Sequence, residues 1–243
     1  MIWLLGAAVA LDARAKEDRH NSDATHDSGK SAEWMGDPYL LPNDPVSGQP
    51  LAAVAQQVVI EHQGREVRFA SEDNARIFKA DSNQYITLID ERVVAQQTPL
   101  YPLKTCVVSG ETLGGAMGEP INFVYRNRLV RFCCKGCKRD FLKDSAAYVD
   151  KLDQAAATTQ REHYRLDKCP VSGESLESMG KPFDRVFGNR LVRFCCKGCV
   201  KEFKKNPLKY LTQLGPVVST SDKALGRGGA TQTEHEHRHE HRH

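Results

Sequence analysis

The chain of 243 residues lacks the features that would assign it at once to several large classes of protein. No apolar run reaches the roughly 20 residues that a helix needs to cross a bilayer, so we do not expect an integral membrane protein. The 34 Lys and Arg nearly balance the 31 Asp and Glu. A net charge of +3 gives no reason to expect nucleic acid or a membrane surface as partner of the whole chain. No hydrolase, transferase or nucleotide-binding motif occurs, and we therefore expect a protein that is not an enzyme.

Cysteine is also missing from most of the chain, and this uneven distribution is informative. All eight cysteines fall in two sets of four with nearly the same spacing. The first set is Cys106, Cys133, Cys134 and Cys137, and the second set is Cys169, Cys195, Cys196 and Cys199. Clusters of this kind indicate metal ligands or a disulfide framework.

The two ends of the chain differ from its middle. An apolar run at residues 2–11 predicts an export signal within residues 1–15, and the polar composition of residues 16–38 predicts a flexible linker. An export signal implies the bacterial cell envelope, the periplasm or secretion, and the alternative is the cytoplasm. Residues 217–243 predict a disordered tail, in which alternate positions near the end are histidine. These are His235, His237, His239, His241 and His243. Imidazole binds Zn, Cu and Ni ions, so we expect the tail to collect metal.

The middle of the chain contains one unit three times, which we call repeat one (39–96), repeat two (97–160) and repeat three (161–216). Residues 127–137 and 189–199 both read NRLVRFCCKGC. Repeat one keeps the Val-Ser-Gly and aromatic positions of the other two, but replaces every cysteine. Its four substitutes are Asp44, Ala70, Ser71 and Asn74. The scaffold therefore persists without sulfur, and repeat one is expected to hold no metal.

Each repeat has the same predicted local structure. A Tyr-x-Leu segment predicts a short strand, and the Val-Ser-Gly step that follows predicts a tight turn. Two β-rich runs joined by Arg126 and Asn127 predict a hairpin in repeat two. A helical pattern then begins at the last cysteine, and Asn206 with Pro207 divides that helix in repeat three. The fold class is thus α+β: three small tandem treble-clef-like modules of turn, β-hairpin and helix, the first without metal ligands.

The cysteines allow two kinds of metal site in repeats two and three. Four thiolates can make a closed tetrahedral zinc site. Adjacent side chains such as Cys133 and Cys134 usually point apart, however, and one of the two is then left out. Three thiolates with an open position suit Cu⁺ or other soft ions as well as Zn²⁺. Either arrangement predicts one ion in each cysteine-rich repeat.

These motifs resemble the TRASH domain and the related YHS domain, and the resemblance covers residues 39–215. The family pattern is one cysteine in a Cys-Pro-x-x-Gly turn, a gap, and then Cys-x3-Cys before an aromatic-bearing helix. It maps onto Cys106, Cys133 and Cys137, and onto Cys169, Cys195 and Cys199. In many relatives the turn reads C-x-x-C-G, where this chain has Ser109 and Ser172. The resemblance implies buffering, sensing or trafficking of a heavy metal, with a protein partner for metal delivery as a further expectation.

Four alternatives stay open from the residues alone. Each site could hold a purely structural zinc in an interaction module. Cys134 with Cys137, and Cys196 with Cys199, could act as Cys-x-x-Cys redox pairs, and in an oxidising compartment the cysteines could form disulfides. A basic run could also bind nucleic acid, although the same charges would offset thiolates on a metal ion. That run is Arg126, Arg128, Arg131, Lys135, Lys138 and Arg139.

Overall fold

The computed structural model of the protein describes residues 36–215, and these residues form an α+β structure. Each repeat consists of a two-stranded antiparallel hairpin followed by two helices. Repeat one has β1 (Val58–His62), β2 (Arg65–Phe69), α1 (Glu72–Ala80) and α2 (Ser82–Gln97). Repeat two has β3 (Ile121–Tyr125), β4 (Arg128–Phe132), α3 (Lys135–Lys143) and α4 (Ser145–Arg161). Repeat three has β5 (Phe183–Phe187), β6 (Arg190–Phe194), α5 (Lys197–Lys205) and α6 (Pro207–Leu211). Within this range, no helix is both long and apolar enough to cross a membrane.

The predicted hairpins are confirmed, and their turns explain why the register is the same in all three. Each hairpin turns through two residues with positive φ, as at Arg126 (48°) and Asn127 (67°) in repeat two. Two successive residues of this kind make the turn whose twist matches that of the flanking strands. The first residue of one strand then faces the last residue of the other, as Ile121 faces Phe132. The cysteines that follow β4 and β6 consequently start from equivalent positions.

The core of each repeat lies between its hairpin and its first helix. A fully buried phenylalanine at the end of the second strand packs against another on the helix. In repeat two the rings of Phe132 and Phe141 are 5.4 Å apart, and in repeat three Phe194 and Phe203 are also 5.4 Å apart. These pairs hold the helix start against the strand end, which is the junction that carries three of the four cysteines.

The helical part of every repeat is divided in two. This was predicted for repeat three and is confirmed there, since α5 ends at Lys205 and α6 begins at Pro207. In repeat two the helix predicted to begin at the last cysteine was given no break, and this is wrong, because the same break occurs at Asp144. The Asp144 carboxylate accepts a hydrogen bond from the Ala147 N–H (3.3 Å) and so starts a second helix. Helical spacing continued across the break in the sequence and concealed it.

The short strand predicted at each Tyr-x-Leu segment is also wrong. Here the chain forms only an isolated bridge, such as Thr105 with Thr112, on the two sides of the cysteine turn. In repeats two and three the tyrosine contacts the hairpin through its hydroxyl instead. Tyr101 accepts a hydrogen bond from the Arg131 N–H at 3.1 Å, and Tyr164 accepts one from the Arg193 N–H at the same distance. The alternating pattern therefore reflects a segment that packs across a hairpin without joining it as a strand.

A glutamine near the end of the second helix, buried at Gln97 and half-buried at Gln160, connects each repeat to the next. Gln97, at the end of α2, donates to the Asn127 carbonyl (2.8 Å) and accepts from the Leu129 N–H (2.8 Å) in the hairpin of repeat two. Gln160, near the end of α4, makes the same two contacts with Asn189 (2.7 Å) and Leu191 (2.8 Å) in repeat three. The glutamine side chains thus join the repeats by forming hydrogen bonds with backbone groups at the hairpin turns.

Buried polar groups gather where the hairpin ends of the three repeats meet, and we call this set the polar hub. Arg128 donates through Nε to Asp37 Oδ2 (2.5 Å) and through Nη2 to Asp37 Oδ1 (2.9 Å), and it also pairs with Asp153. Gly188 donates its N–H to Asp37 as well (2.7 Å), which brings repeat three into the same network. The hub comprises Asp37, Arg65, Gln97, Asn127, Arg128 and Asn189.

Candidate metal centre

Three cysteines of repeat two come together at the junction of turn, hairpin and helix. Cys106 lies on the turn, Cys133 follows β4, and Cys137 lies in the first turn of α3. Their sulfur atoms are all within 4.8 Å of one another, and Cys133 Sγ is 3.7 Å from Cys137 Sγ. All three residues are buried. We call this set the repeat-two triad.

Repeat three repeats the arrangement closely. Cys169, Cys195 and Cys199 are buried and mutually within 4.8 Å, and the last two sulfurs are again 3.7 Å apart. We call them the repeat-three triad. All eight cysteines of the protein are free thiols in the structure.

The helices begin two residues earlier than predicted. This earlier start determines where each cysteine lies relative to the end of the helix. α3 begins at Lys135 and α5 at Lys197, so that Cys134 and Cys196 occupy the N-cap positions. Cys137 therefore lies within the first turn, where helical N–H groups lack intrahelical partners. The prediction started the helix at the last cysteine because the preceding Lys-Gly step carries no apolar periodicity.

The first cysteine of each triad sits in a nest of N–H groups that suits an anion. Repeat one shows this directly, because the buried Asp44 carboxylate occupies the position of Cys106. It accepts hydrogen bonds from the N–H groups of Val46 (2.7 Å), Ser47 (3.0 Å) and Ala70 (2.6 Å). The equivalent N–H groups in repeat two face the Cys106 sulfur. The same backbone thus surrounds a carboxylate in one copy and a sulfur in the others.

This nest changes the acidity of the first cysteine. Burial by itself would raise the pKa of the Cys106 thiol, but the Ser109 hydroxyl and the surrounding N–H groups outweigh burial and lower the pKa to about 7. The pKa of Cys169 is likewise lowered to about 7, with burial again opposed by the N–H groups of Ser172 and Cys195. Thiolate is the form that binds metal, so the lowered pKa favours the metal-binding form of one cysteine in each triad.

The pKa of the third cysteine in each triad is raised, in contrast to that of the first cysteine. Burial, together with the neighbouring Cys134 sulfur, raises the pKa of Cys137 to about 12, and burial also raises the pKa of Cys199. Without an ion the triad therefore combines an acidic thiol with one that keeps its proton. Because metal ligands must be deprotonated, uptake of an ion releases that proton.

Cys134 and Cys196 lie beside the triads. The Cys134 sulfur is 3.6 Å from Cys137 Sγ, and Cys196 Sγ is 3.7 Å from Cys199 Sγ, but neither belongs to the set of sulfurs within 4.8 Å. Both residues are partly exposed, unlike the triad members. The N–H groups of Cys137 and Gly136 face the Cys134 sulfur and lower its pKa. Each cysteine-rich repeat thus has three buried thiols and a fourth that is partly exposed.

Ser109 and Ser172 are site residues that the sequence indicated only through a family comparison. Ser109 Oγ is 3.3 Å from Cys133 Sγ, and Ser172 Oγ is 3.4 Å from Cys195 Sγ. Each hydroxyl can donate to a thiolate of the triad, which stabilises the charged form. The signal in the sequence was the serine that stands where many relatives of the resembled family carry a second turn cysteine.

The spacing of the buried sulfurs fits an ion with thiolate ligands. A tetrahedral ion with Zn–S bonds near 2.3 Å places its sulfur atoms about 3.8 Å apart. The buried sulfurs of Cys133 and Cys137 in repeat two are 3.7 Å apart, and those of Cys195 and Cys199 in repeat three are also 3.7 Å apart. The first turns of α3 and α5 contain no acidic residue, whereas α1 of repeat one begins with Glu72 and Asp73. Thiolates can take the role of these carboxylates beside the positive helix end.

The residues of repeat one form hydrogen bonds where the other repeats have sulfur. The side-chain amide of Asn74, at the position of Cys137, donates to Asp44 Oδ2 (2.9 Å) and to Ser47 Oγ (3.1 Å). Ser71, at the position of Cys134, caps α1 by accepting from the Asn74 N–H (3.2 Å). The residues that replace cysteine in repeat one thus hold the turn to the helix through hydrogen bonds.

We expect replacement of Asp44 by alanine to lower the free energy of unfolding by about 3 kcal/mol, because buried N–H groups would lose their acceptor. Asp44 is fully buried. Urea unfolding followed by circular dichroism measures the change. D73A, which removes an exposed carboxylate of the same repeat, is the matched control with an expected change below about 0.5 kcal/mol. A loss below about 1 kcal/mol in D44A would contradict the role assigned to this carboxylate.

The basic run does not form one continuous surface. Arg128 is buried in the polar hub, whereas the Arg131 guanidinium lies over the Tyr101 ring (5.7 Å) and the Lys138 ammonium over the Phe123 ring (4.1 Å). Arg126 lies over the Tyr125 ring at 5.4 Å. Several of these cations therefore pack on aromatic rings of their own repeat. Arg128 is therefore not accessible to nucleic acid, which weakens the nucleic-acid alternative.

The predicted histidine ligands and the predicted signal segment lie outside the described residues. This applies to His235, His237, His239, His241 and His243, and to residues 1–15. The expectation of a metal-collecting tail and of an exported protein both stay predictions.

The described part of the chain thus defines an α+β repeat protein with two buried cysteine triads that could each bind a metal ion. Comparison of the chain with protein-family models, with curated proteins and with solved structures finds no match.

Proposed function

We propose that this protein is a non-enzymatic metal-binding protein that holds one thiophilic or borderline ion, of the Zn²⁺ or Cu⁺ type, in each cysteine triad. The proposed role is buffering, sensing or trafficking of heavy metal in the cell envelope. In this proposal repeats two and three are modules of the TRASH/YHS type, and repeat one is a related module without an ion. The order of turn, hairpin and helix in each repeat supports the treble-clef-like assignment.

One observation carries the proposal. The N–H nest that receives the Asp44 carboxylate in repeat one receives Cys106 or Cys169 in the other repeats, and only those repeats bring two more buried sulfurs to the same place. A nest of this kind favours an anion, and three thiolates without a cation would repel one another. An ion bound by all three removes that repulsion. The repeat without sulfur satisfies the same nest with one carboxylate, which also accepts a hydrogen bond from the Asn74 side-chain amide.

Metal analysis of the full-length protein, purified without oxygen, tests this function. We expect two tightly held ions per chain with all eight cysteines present, and a rise in reactive thiols after treatment with a chelator. To exclude ions held by the histidine tail, a chain ending at residue 216 is measured in parallel and should retain the two ions. No bound metal, with reversible formation of one disulfide in each repeat, would replace the proposal with thiol–disulfide chemistry.

The rate of metal release separates an exchangeable site from a structural zinc. We expect a competing chelator to remove both ions while the far-ultraviolet circular dichroism spectrum stays that of the folded protein. The fold retained by repeat one without cysteine supports this expectation, since its hairpin and helices form around hydrogen bonds. Release that occurs only together with unfolding would assign the ions a structural role.

A further inference from the structure

We propose that Cys134 and Cys196 are handover thiols, through which the ion of each triad enters and leaves, and that they are not needed to hold it. This inference rests on the proposed function, because it requires an ion in the triad. It assigns a separate task to the one cysteine of each repeat that lies outside the buried set.

The position of the fourth sulfur carries the first step of the argument. Cys134 Sγ is 3.6 Å from Cys137 Sγ, so an ion bound to Cys137 lies within reach of both sulfurs. Cys134 is partly exposed, whereas Cys106, Cys133 and Cys137 are buried. An incoming ligand from solvent or from a partner protein therefore meets Cys134 before any member of the triad. The same relation holds between Cys196 and Cys199 at 3.7 Å.

The residue next to this sulfur leaves one side of it uncovered. A side chain at position 136 would place its Cβ 3.6 Å from Cys134 Sγ, and one at position 198 would lie 3.6 Å from Cys196 Sγ. Both positions are glycine, although neither has the positive φ that would require it. In repeat one, where there is no ion to hand over, the equivalent position carries Asp73. Glycine therefore accompanies the exposed thiol in both cysteine-rich repeats.

Helix capping does not explain the cysteine at this position. The N-cap of α1 is Ser71, whose hydroxyl accepts a hydrogen bond from the Asn74 N–H. The N–H groups of Cys137 and Cys199 face the sulfurs of Cys134 and Cys196, but neither sulfur forms a side-chain cap hydrogen bond of this kind. Serine is among the preferred N-cap residues and cysteine is not. Both cysteine-rich repeats thus carry a poorer cap where repeat one carries a good one, which indicates that the sulfur serves the adjacent site.

The handover is a ligand exchange in which neither the ion nor any sulfur changes its oxidation state. The Cys134 thiol gives its proton to solvent and its sulfur forms a bond to the ion as a fourth ligand. An acceptor thiol then loses its own proton and bonds to the ion, while the bond from a triad sulfur to the ion breaks and that sulfur takes a proton from solvent. Repetition of this exchange transfers the ion to the acceptor. Uptake follows the same steps in reverse.

The experiment compares the wild-type protein with the double variant C134S/C196S, both loaded with Zn²⁺ and mixed with an excess of a chromophoric chelator. Ser71 shows that this fold accepts serine at the N-cap, so the variant is expected to fold. We expect it to bind two Zn²⁺ but to release them at least about tenfold more slowly than the wild type. Iodoacetamide labelling with mass spectrometry supplies an independent readout. In the loaded wild type, Cys134 and Cys196 should be modified first and the triads protected.

Each other outcome separates this inference from the proposed function. An unchanged release rate would overturn the handover role and leave the proposed function standing, whereas rapid labelling of the triads in the loaded wild type would overturn both. A variant that binds fewer than two Zn²⁺ would show that these thiols hold the ion, which also overturns the inference. A wild-type protein that takes up no Zn²⁺ would overturn the proposed function, and the handover with it.

Discussion

Replacing Cys137 by serine is expected to reduce tightly bound metal from two ions per chain to one. Cys137 is buried, and its sulfur lies 3.7 Å from Cys133 and 3.6 Å from Cys134, so its loss removes the sulfur that both neighbours contact. If the free energy of zinc binding is shared among the ligands, one thiolate contributes roughly 3 kcal/mol, or about 100-fold in affinity. Zn²⁺ competition titration against a chromophoric chelator measures this change.

The two repeats supply their own controls for this experiment. C199S should remove the ion of repeat three and leave that of repeat two, and the double variant should lose both. A polar side chain at this position is compatible with the fold, since Asn74 occupies it in repeat one. Circular dichroism therefore should show a folded protein in all three variants. Retention of two tightly bound ions by C137S would show that the triad is not the binding site.

The second large effect is expected in the polar hub, where Arg128→Ala should lower the free energy of unfolding by about 3–5 kcal/mol. The Arg128 side chain is 5% exposed and binds Asp37, Asp153 and the Val186 carbonyl. Its removal leaves the buried Asp37 carboxylate without its cation, although the Gly188 N–H still reaches it. Such an uncompensated buried charge is among the most destabilising changes a single substitution can make. Urea unfolding of the metal-free protein measures the loss without a contribution from bound ions.

An exposed ion pair on α1 provides the matched control. Arg76 pairs with Asp73, and their side chains are 75% and 73% exposed. Water screens a pair of this kind, so R76A should change the free energy of unfolding by less than about 0.5 kcal/mol. If R128A were as mild as R76A, the three repeats would not depend on the hub for their assembly. A separate unfolding transition for repeat one would lead to the same conclusion.

Much of the local structure could be predicted because it depends on neighbouring residues. The hairpin of repeat two follows from two β-rich runs and a two-residue turn, and the start of a new helix at Pro207 follows from the fixed φ of proline. The breaks at Asp81 and Asp144 were missed, since aspartate stops one helix only by capping the next. The Tyr-x-Leu segments were assigned as strands because alternation cannot distinguish a strand from a segment that packs across a hairpin.

The cysteine site, too, could be predicted from the sequence only in part. Comparison of the three repeats identified all eight cysteines as a duplicated set and separated them from the scaffold. The sequence could not decide which of Cys133 and Cys134 faces inward, because that depends on where the helix begins. It also gave no sign that Asp44 and Cys106 share one nest of N–H groups, since the nest combines a turn with a strand end 26 residues away in repeat one.

The sequence by itself determined the threefold repeat, the hairpins and the positions of the sulfur atoms along the chain, because these depend on residue identity and short-range periodicity. Tertiary structure alone decided the rest. It buried three thiols of each set and left the fourth at the surface, since a helix that starts at Lys135 directs Cys134 outward. It also joined the repeats through a buried Arg128 that the sequence had placed in a basic run. Both results depend on contacts between residues far apart in the chain, which no local pattern records.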